Sequence, residues 1–143
     1  MGESGSGKSA SLRNFKKEDV GILNVASKPL PFRNTNGLVT VNKATYSMIN
    51  SAVTSPNRLS YVIDDAQYLM AFESFDKANI TGYTKFTEMA KNYEEMLRTI
   101  QEDTSPDTIV YVMQHIETDE NGKVKAKTLG KMLDQQLTIE GLF

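Results

Sequence analysis

The stretch Leu59 to Asp65, LSYVIDD, is apolar from Tyr61 to Ile63 and then stops at two adjacent aspartates. Consecutive apolar positions cannot keep one face in water, so the run reads as a strand buried on both faces, as parallel sheets are, with the aspartates at its end. Two more apolar runs of strand length flank it. GILNVA (Gly21 to Ala26) precedes it and TIVYVMQH (Thr108 to His115), the clearest buried strand, follows; LVTV (Leu38 to Val41) is a short additional candidate. Parallel strands need crossover segments, and the intervening sequence supplies them.

Before the first strand, SASLRNF (Ser9 to Phe15) can carry a short helix. Ala44, Met48 and Ala52 predict a helix from Asn42 to about Ser55, capped by Asn42 and closed by the turn Ser55-Pro56-Asn57. AQYLMAFESFDKA, 66–78, reads as another. Phe86, Met89, Tyr93, Met96, Leu97 and Ile100 recur at the three-four spacing of an amphipathic helix. Pro29 and Pro31 keep Ser27 to Gly37 an extended loop. Asn121-Gly122 sits between two short alternating stretches, a strong hairpin signal. TLGKMLDQQL, 128–137, predicts a short helix, and TIEGLF, 138–143, begins a further element. The alternation predicts an α/β fold with a mostly parallel sheet flanked by helices and a β-hairpin near the C-terminus.

The 143 residues suit one domain around one core. With 39% hydrophobic and 24% charged residues and a net charge of −2, neither disorder nor a polyanion-seeking surface is indicated, and a nucleic-acid contact needs a local patch. The absence of cysteine removes disulfides, thiolate zinc sites and thiol nucleophiles, and suits a reducing compartment. No apolar run approaches the ~20 residues of a membrane span and no charged-then-apolar leader is visible, so the expectation is a soluble cytoplasmic protein without membrane contact.

Gly2 to Ser9, GESGSGKS, fits the pattern G-x-x-x-x-G-K-[ST]. The pattern works because its glycines let backbone N–H groups turn inward around phosphates, its lysine reaches their oxygens and its hydroxyl binds Mg²⁺. Gly2, Glu3, Ser4, Gly5, Ser6, Gly7, Lys8, Ser9 and Ala10 are thus the candidate ATP-binding residues. Such a site needs a carboxylate at the tip of a neighbouring buried strand, and Asp64 is the candidate, sharing the metal with Ser9. Asp65 points the other way along the pleat and reads either as the residue that orients or deprotonates water or as a helix N-cap. At the tip of the next strand, Gln114 or His115 stands where a polar side chain can sense the γ-phosphate. His115 is the only histidine, which excludes a histidine metal cluster and a Ser-His-Asp triad. Lys123, Lys125 and Lys127 alternate on one face of the hairpin, able to meet a phosphate backbone or simply to solvate an edge. Lys131 reads as a lysine acting on nucleotide or as a surface residue.

GESGSGKS, LNVASKPLPF, YVIDDAQYLM and KTLGKMLDQQLTIEGLF, in this order, resemble a family of phage-encoded AAA/RecA-like P-loop ATPases over most of the chain. The likeness implies a single P-loop ATPase domain over 1–143, lacking the strand before the loop and the strand or strands after Phe143. It implies ATP and Mg²⁺ as cofactors, with Lys8 and Ser9 on phosphate and metal, Asp64 as the metal carboxylate and Gln114 and His115 as sensor. It further implies ATP hydrolysis in phage DNA replication or recombination in the bacterial host cytoplasm, with single-stranded DNA or a phage recombination protein as partner and a homo-oligomer as a common assembly. One departure stands out: no acidic residue lies between Asp19 and Asp64, where RecA-type relatives carry a catalytic glutamate. The other readings are a nucleotide-binding switch or inactive truncated module without hydrolysis, and a small-molecule P-loop kinase.

Overall fold

A computed structural model of the chain describes residues 1–137 and 139–142, and within the last helices the side chains of Lys131, Asp134, Gln135 and Glu140 lie outside that description. The sequence reading of Lys131, and that of TIEGLF at Thr138 and Phe143, therefore falls outside the described residues. A 3₁₀ helix, Ser9–Asn14, follows the N-terminal loop, and then come β1 (Val20–Asn24), β2 (Val39–Asn42), α1 (Tyr46–Thr54), β3 (Ser60–Asp64) and α2 (Tyr68–Asp76). The long α3 (Thr84–Asp103), β4 (Ile109–Val112), the hairpin β5 (Ile116–Thr118) and β6 (Val124–Ala126), α4 (Lys131–Gln136) and a 3₁₀ turn, Ile139–Gly141, complete the order.

The four longer strands form one all-parallel sheet in the order β2-β1-β3-β4, and β5 pairs with β6 antiparallel. The fold is thus α/β, a parallel sheet flanked by helices with a hairpin near the C-terminus. The pleat divides the core into two clusters. Leu23, Tyr61 and Ile63 face α1, α2 and α3 and join Ile49, Met70, Met89, Tyr93, Met96 and Leu97. Val20, Ile22 and Val62 face the opposite side, beneath the 3₁₀ helix, and join Leu12 and Leu38. Alternate residues of one strand reach opposite layers, so the continuous apolar runs of β1 and β3 are what two covered faces require.

β4 differs from its expected place. The segment 108–115 is the clearest apolar run, yet β4 is a sheet edge with Ile109 57% and Tyr111 41% exposed. Ile109 and Tyr111 thus report strand-forming preference, not burial, while Val110 and Val112 are half-buried against the helix-side core. The helix expected from Asn42 begins instead at Tyr46, because Asn42 closes β2 and Lys43 takes a left-handed φ of 54°. Thr45 is the cap, its hydroxyl accepting from the Met48 N–H at 3.4 Å. α3 extends beyond the expected segment at both ends.

Tyr93 is wholly buried in α3, and its hydroxyl donates to Gln114 Oε1 at 2.9 Å. Gln114, 2% exposed, donates in turn to the Lys127 carbonyl at 2.7 Å, which ties α3, the end of β4 and the hairpin together. Tyr93→Phe leaves a buried amide oxygen unpaired, and a loss of about 1–2 kcal/mol is expected in denaturant unfolding. A change below the error of that measurement refutes the tie.

Candidate functional site

The carboxyl ends of the parallel strands gather polar residues in a row. Register pairs Asn24 with Asn42 on one side and with Asp64 on the other. Asp64 lies two residues beyond Val62 and so shares the layer of the 3₁₀ helix. There Ser9 Oγ donates to its carboxylate, 2.9 Å from Oδ2 and 3.1 Å from Oδ1. The loop and the first aspartate, which the sequence reading joined by function, are in contact.

The loop itself holds its turn with two left-handed glycines, Gly5 at φ 77° and Gly7 at φ 88°. A Cβ at either position meets nothing within 4 Å, so backbone conformation and not space asks for glycine here. Glu3, Ser4, Gly5, Ser6 and Gly7 are exposed, whereas Lys8, Ser9 and Ala10 are half-buried. Lys8 curls back over its own loop, its Nζ donating to the Gly2 and Glu3 carbonyls at 2.8 Å each. At the loop's start the Gly2 N–H donates to the Gln114 carbonyl at 3.2 Å. Met113 uses its N–H and its carbonyl toward the β3 side, and strand alternation turns the next carbonyl, that of Gln114, outward to meet the loop.

The same alternation separates the two sensor candidates. Both ends of the Gln114 amide are taken inside the core by Tyr93 and Lys127, so its backbone and not its side chain meets the loop. His115 is the one brought to the aspartates, with Nε2 3.2 Å from Asp65 Oδ1 and its ring edge-on to Tyr68. Asp65 occupies a left-handed φ of 61°, a region open to aspartate at some cost and recurrent where strain serves a site. Its carboxylate does not cap α2, whose first turn has no side-chain cap. It is held instead between His115 and Lys28, whose Nζ lies 2.7 Å from Oδ2.

Lys28 is the residue the sequence reading missed. It sits in the loop after β1, and its only signal was its place just beyond the tip of the strand beside β3. Of the hairpin lysines, Lys125 pairs with Glu117 across the ladder at 3.1 Å, Lys123 and Lys127 are exposed, and the backbone N–H of Lys127 donates to the His115 carbonyl at 2.8 Å. A separate, mostly apolar cleft of about 640 Å³, lined by Val25, Ala44, Leu69 and Phe72 among others, contains none of Lys8, Ser9, Asp64 or Asp65.

Burial raises Asp64 above the usual carboxylate range; the Ser9 hydrogen bond opposes it, the Asp65 charge adds to it, and Lys28 and Lys8 pull the other way. Burial and the charge of Lys8 lower His115 below the ordinary histidine value, against the pull of Asp65. A neutral imidazole at pH 7 meets Asp65 as an Nε2–H donor. No protein-family model and no curated protein matches the chain. What the site does is therefore read from its own chemistry.

No group of three or more His, Cys, Asp or Glu side chains suited to a metal occurs among the described residues. One hydroxyl and one carboxylate, both hard oxygen donors, fit a Mg²⁺ that keeps most of its waters and arrives with phosphate oxygens. Such a site carries a stability penalty. Because the folded state raises Asp64, its contribution to stability is present below the unfolded value and is lost as pH rises through the folded one. Asp64→Asn is accordingly expected to stabilise the protein at pH 7 by about 0.5–2 kcal/mol, the gain disappearing toward about pH 4. Thermal unfolding of both proteins across that range checks it; a destabilised variant at pH 7 contradicts the sign.

Proposed function

We propose that the chain is a P-loop ATPase of the RecA-like type, binding Mg·ATP between the glycine loop and Asp64 and hydrolysing it. The observation that carries the reading is the Ser9 to Asp64 contact, which joins a glycine loop and a strand-end carboxylate 55 residues apart in the chain. A hydroxyl and a carboxylate set against each other beside a lysine are the protein's share of a magnesium-nucleotide site.

In this reading the loop amides and Lys8 hold the phosphates, and Ser9 and Asp64 hold Mg²⁺. When bound, the ion neutralises charge on the phosphate oxygens. Asp65 takes a proton from water as the water oxygen bonds to the γ-phosphorus. The bond from that phosphorus to its bridging oxygen breaks with the electron pair leaving on ADP, and inorganic phosphate is the second product. His115 holds Asp65 in place through the Nε2–H and completes the strand-tip sensor. Most of the rate comes from positioning and charge stabilisation.

Phosphate release from ATP, with Mg²⁺ and with the metal chelated, tests this: metal-dependent release is expected, and its absence in both conditions contradicts hydrolysis. A nucleotide-binding switch without hydrolysis is the second reading, favoured by the engagement of both Asp65 oxygens. Nucleotide binding without phosphate release identifies that case. A small-molecule kinase finds little support, since the four arginines, Arg13, Arg33, Arg58 and Arg98, are scattered along the chain, and Arg13, Arg58 and Arg98 are engaged by Ala10, by Lys17 and Glu18, and by Glu94. The resemblance extends the reading to phage DNA replication or recombination, with single-stranded DNA or a recombination protein as partner and a homo-oligomer as assembly. Salt-dependent retention of single-stranded DNA is the test of that extension.

A further inference from the structure

Lys28 reaches the aspartates from a loop that no nucleotide pattern marks. Its carbonyl accepts from Asn24 Nδ2 at 2.6 Å, so its backbone is pinned to the row of strand ends. Its head is not pinned. The side chain is 53% exposed, with Nζ 2.7 Å from Asp65 Oδ2 and 4.6 Å from the centre of the Tyr68 ring. A fixed stem with a long, half-exposed arm can move its charge while the backbone stays in place.

The charges around it call for such an arm. Lys8 and Lys28 both act on Asp64 and both act on His115, so the two ammonium groups stand on the same small cluster. A γ-phosphate brought to the Ser9 and Asp64 position shares Mg²⁺ with Asp64 in the ATPase reading, but its negative charge also comes near the Asp65 carboxylate, on which no metal is placed. Like charges within a few ångströms repel by several kcal/mol unless a cation stands between them. Asp65, meanwhile, has one oxygen engaged by His115 and the other by Lys28, and the ammonium on Oδ2 takes up one of the approaches open to a water.

We propose that Lys28 is a second phosphate-contacting cation of this site, drawn from Asp65 to the γ-phosphate when a nucleoside triphosphate binds. The move leaves the Asp65 carboxylate with one oxygen free for the attacking water. This rests on the ATPase reading above and adds to it a residue that distinguishes triphosphate from diphosphate. Lys28 keeps its proton throughout: burial lowers its pKa, but the hydrogen bond and charge of Asp65 outweigh that and raise it above the ordinary lysine value.

The test is equilibrium binding of ADP and of a non-hydrolysable ATP analogue, each with Mg²⁺, to the wild-type chain, Lys28→Met and Lys28→Arg. Losing one charged contact to phosphate is expected to weaken the triphosphate about tenfold to a hundredfold in Lys28→Met and to change ADP affinity by less than about twofold. Lys28→Arg recovers most of the triphosphate affinity. Retained ADP binding also reports that the variant is folded. A purely structural lysine behaves otherwise: if both nucleotides weaken alike, or neither does, Lys28 does not touch the γ-phosphate. A wild-type chain that binds neither nucleotide overturns the ATPase reading and this proposal together, whereas a wild type that binds both with an unaltered Lys28→Met overturns the proposal alone.

Discussion

Lys8→Ala is expected to weaken Mg·ATP binding by at least about a hundredfold. Each charged hydrogen bond to phosphate is worth about 1.5–3 kcal/mol, and an ammonium reaching between two phosphates makes more than one. Little stability should go with it. Among the described residues the Lys8 head bonds to the Gly2 and Glu3 carbonyls of its own loop, and Glu3 is exposed, so its loss should alter unfolding free energy by no more than about 1 kcal/mol. The separation of the two effects is the informative part, since a variant that loses binding through unfolding loses both. Fluorescent-nucleotide titration alongside thermal unfolding measures it. Unchanged nucleotide affinity removes Lys8, and with it the loop, from the site.

Asp65→Asn should leave ATP bound and lower its turnover by about 10²–10⁴, the usual contribution of a positioned proton acceptor. Asparagine tolerates the left-handed φ of 61° found at Asp65, and it keeps an oxygen for the His115 Nε2–H. What it loses is the charge that holds Lys28 and that, in the proposed mechanism, accepts the proton of water. Single-turnover phosphate release at saturating ATP isolates the chemical step from binding. Undiminished release assigns Asp65 a structural role, that of fixing Lys28 and His115 at the strand ends.

The sheet was legible wherever burial on both faces forces an uninterrupted apolar run. β1 and β3 lie inside the sheet, and the expected runs 21–26 and 59–65 coincide with them to within one or two residues at each end. β4 shows the limit of that signal: Ile109, Val110, Tyr111 and Val112 are as apolar as β3, but burial depends on a neighbour that composition does not reveal. The start of α1 shows another. Asn42 and Thr45 are both good caps, and the break between them is the left-handed Lys43, a residue with no turn preference to announce it.

For the site, the glycine pattern and the strand ending in Asp64 were readable because each obeys a local rule. The meeting of Ser9 with Asp64 followed from which pleat face Asp64 takes. The choice between Gln114 and His115 was not readable, since it turns on the orientation of Met113 at the end of β4. Lys28 lies 37 residues from Asp65, in a loop without periodicity, and nothing short of the folded arrangement joins them. Sequence logic thus pointed to the glycine loop and the strand-end aspartates and missed Lys28, which stands on Asp65.

Calorimetric titration of the wild-type chain with ATP, in Mg²⁺ and in chelator, is the most direct test of the central claim. Saturable binding of one nucleotide per chain, tighter with Mg²⁺ and lost in Lys8→Ala, is the predicted result; no saturable heat, or binding indifferent to both Mg²⁺ and Lys8, contradicts it.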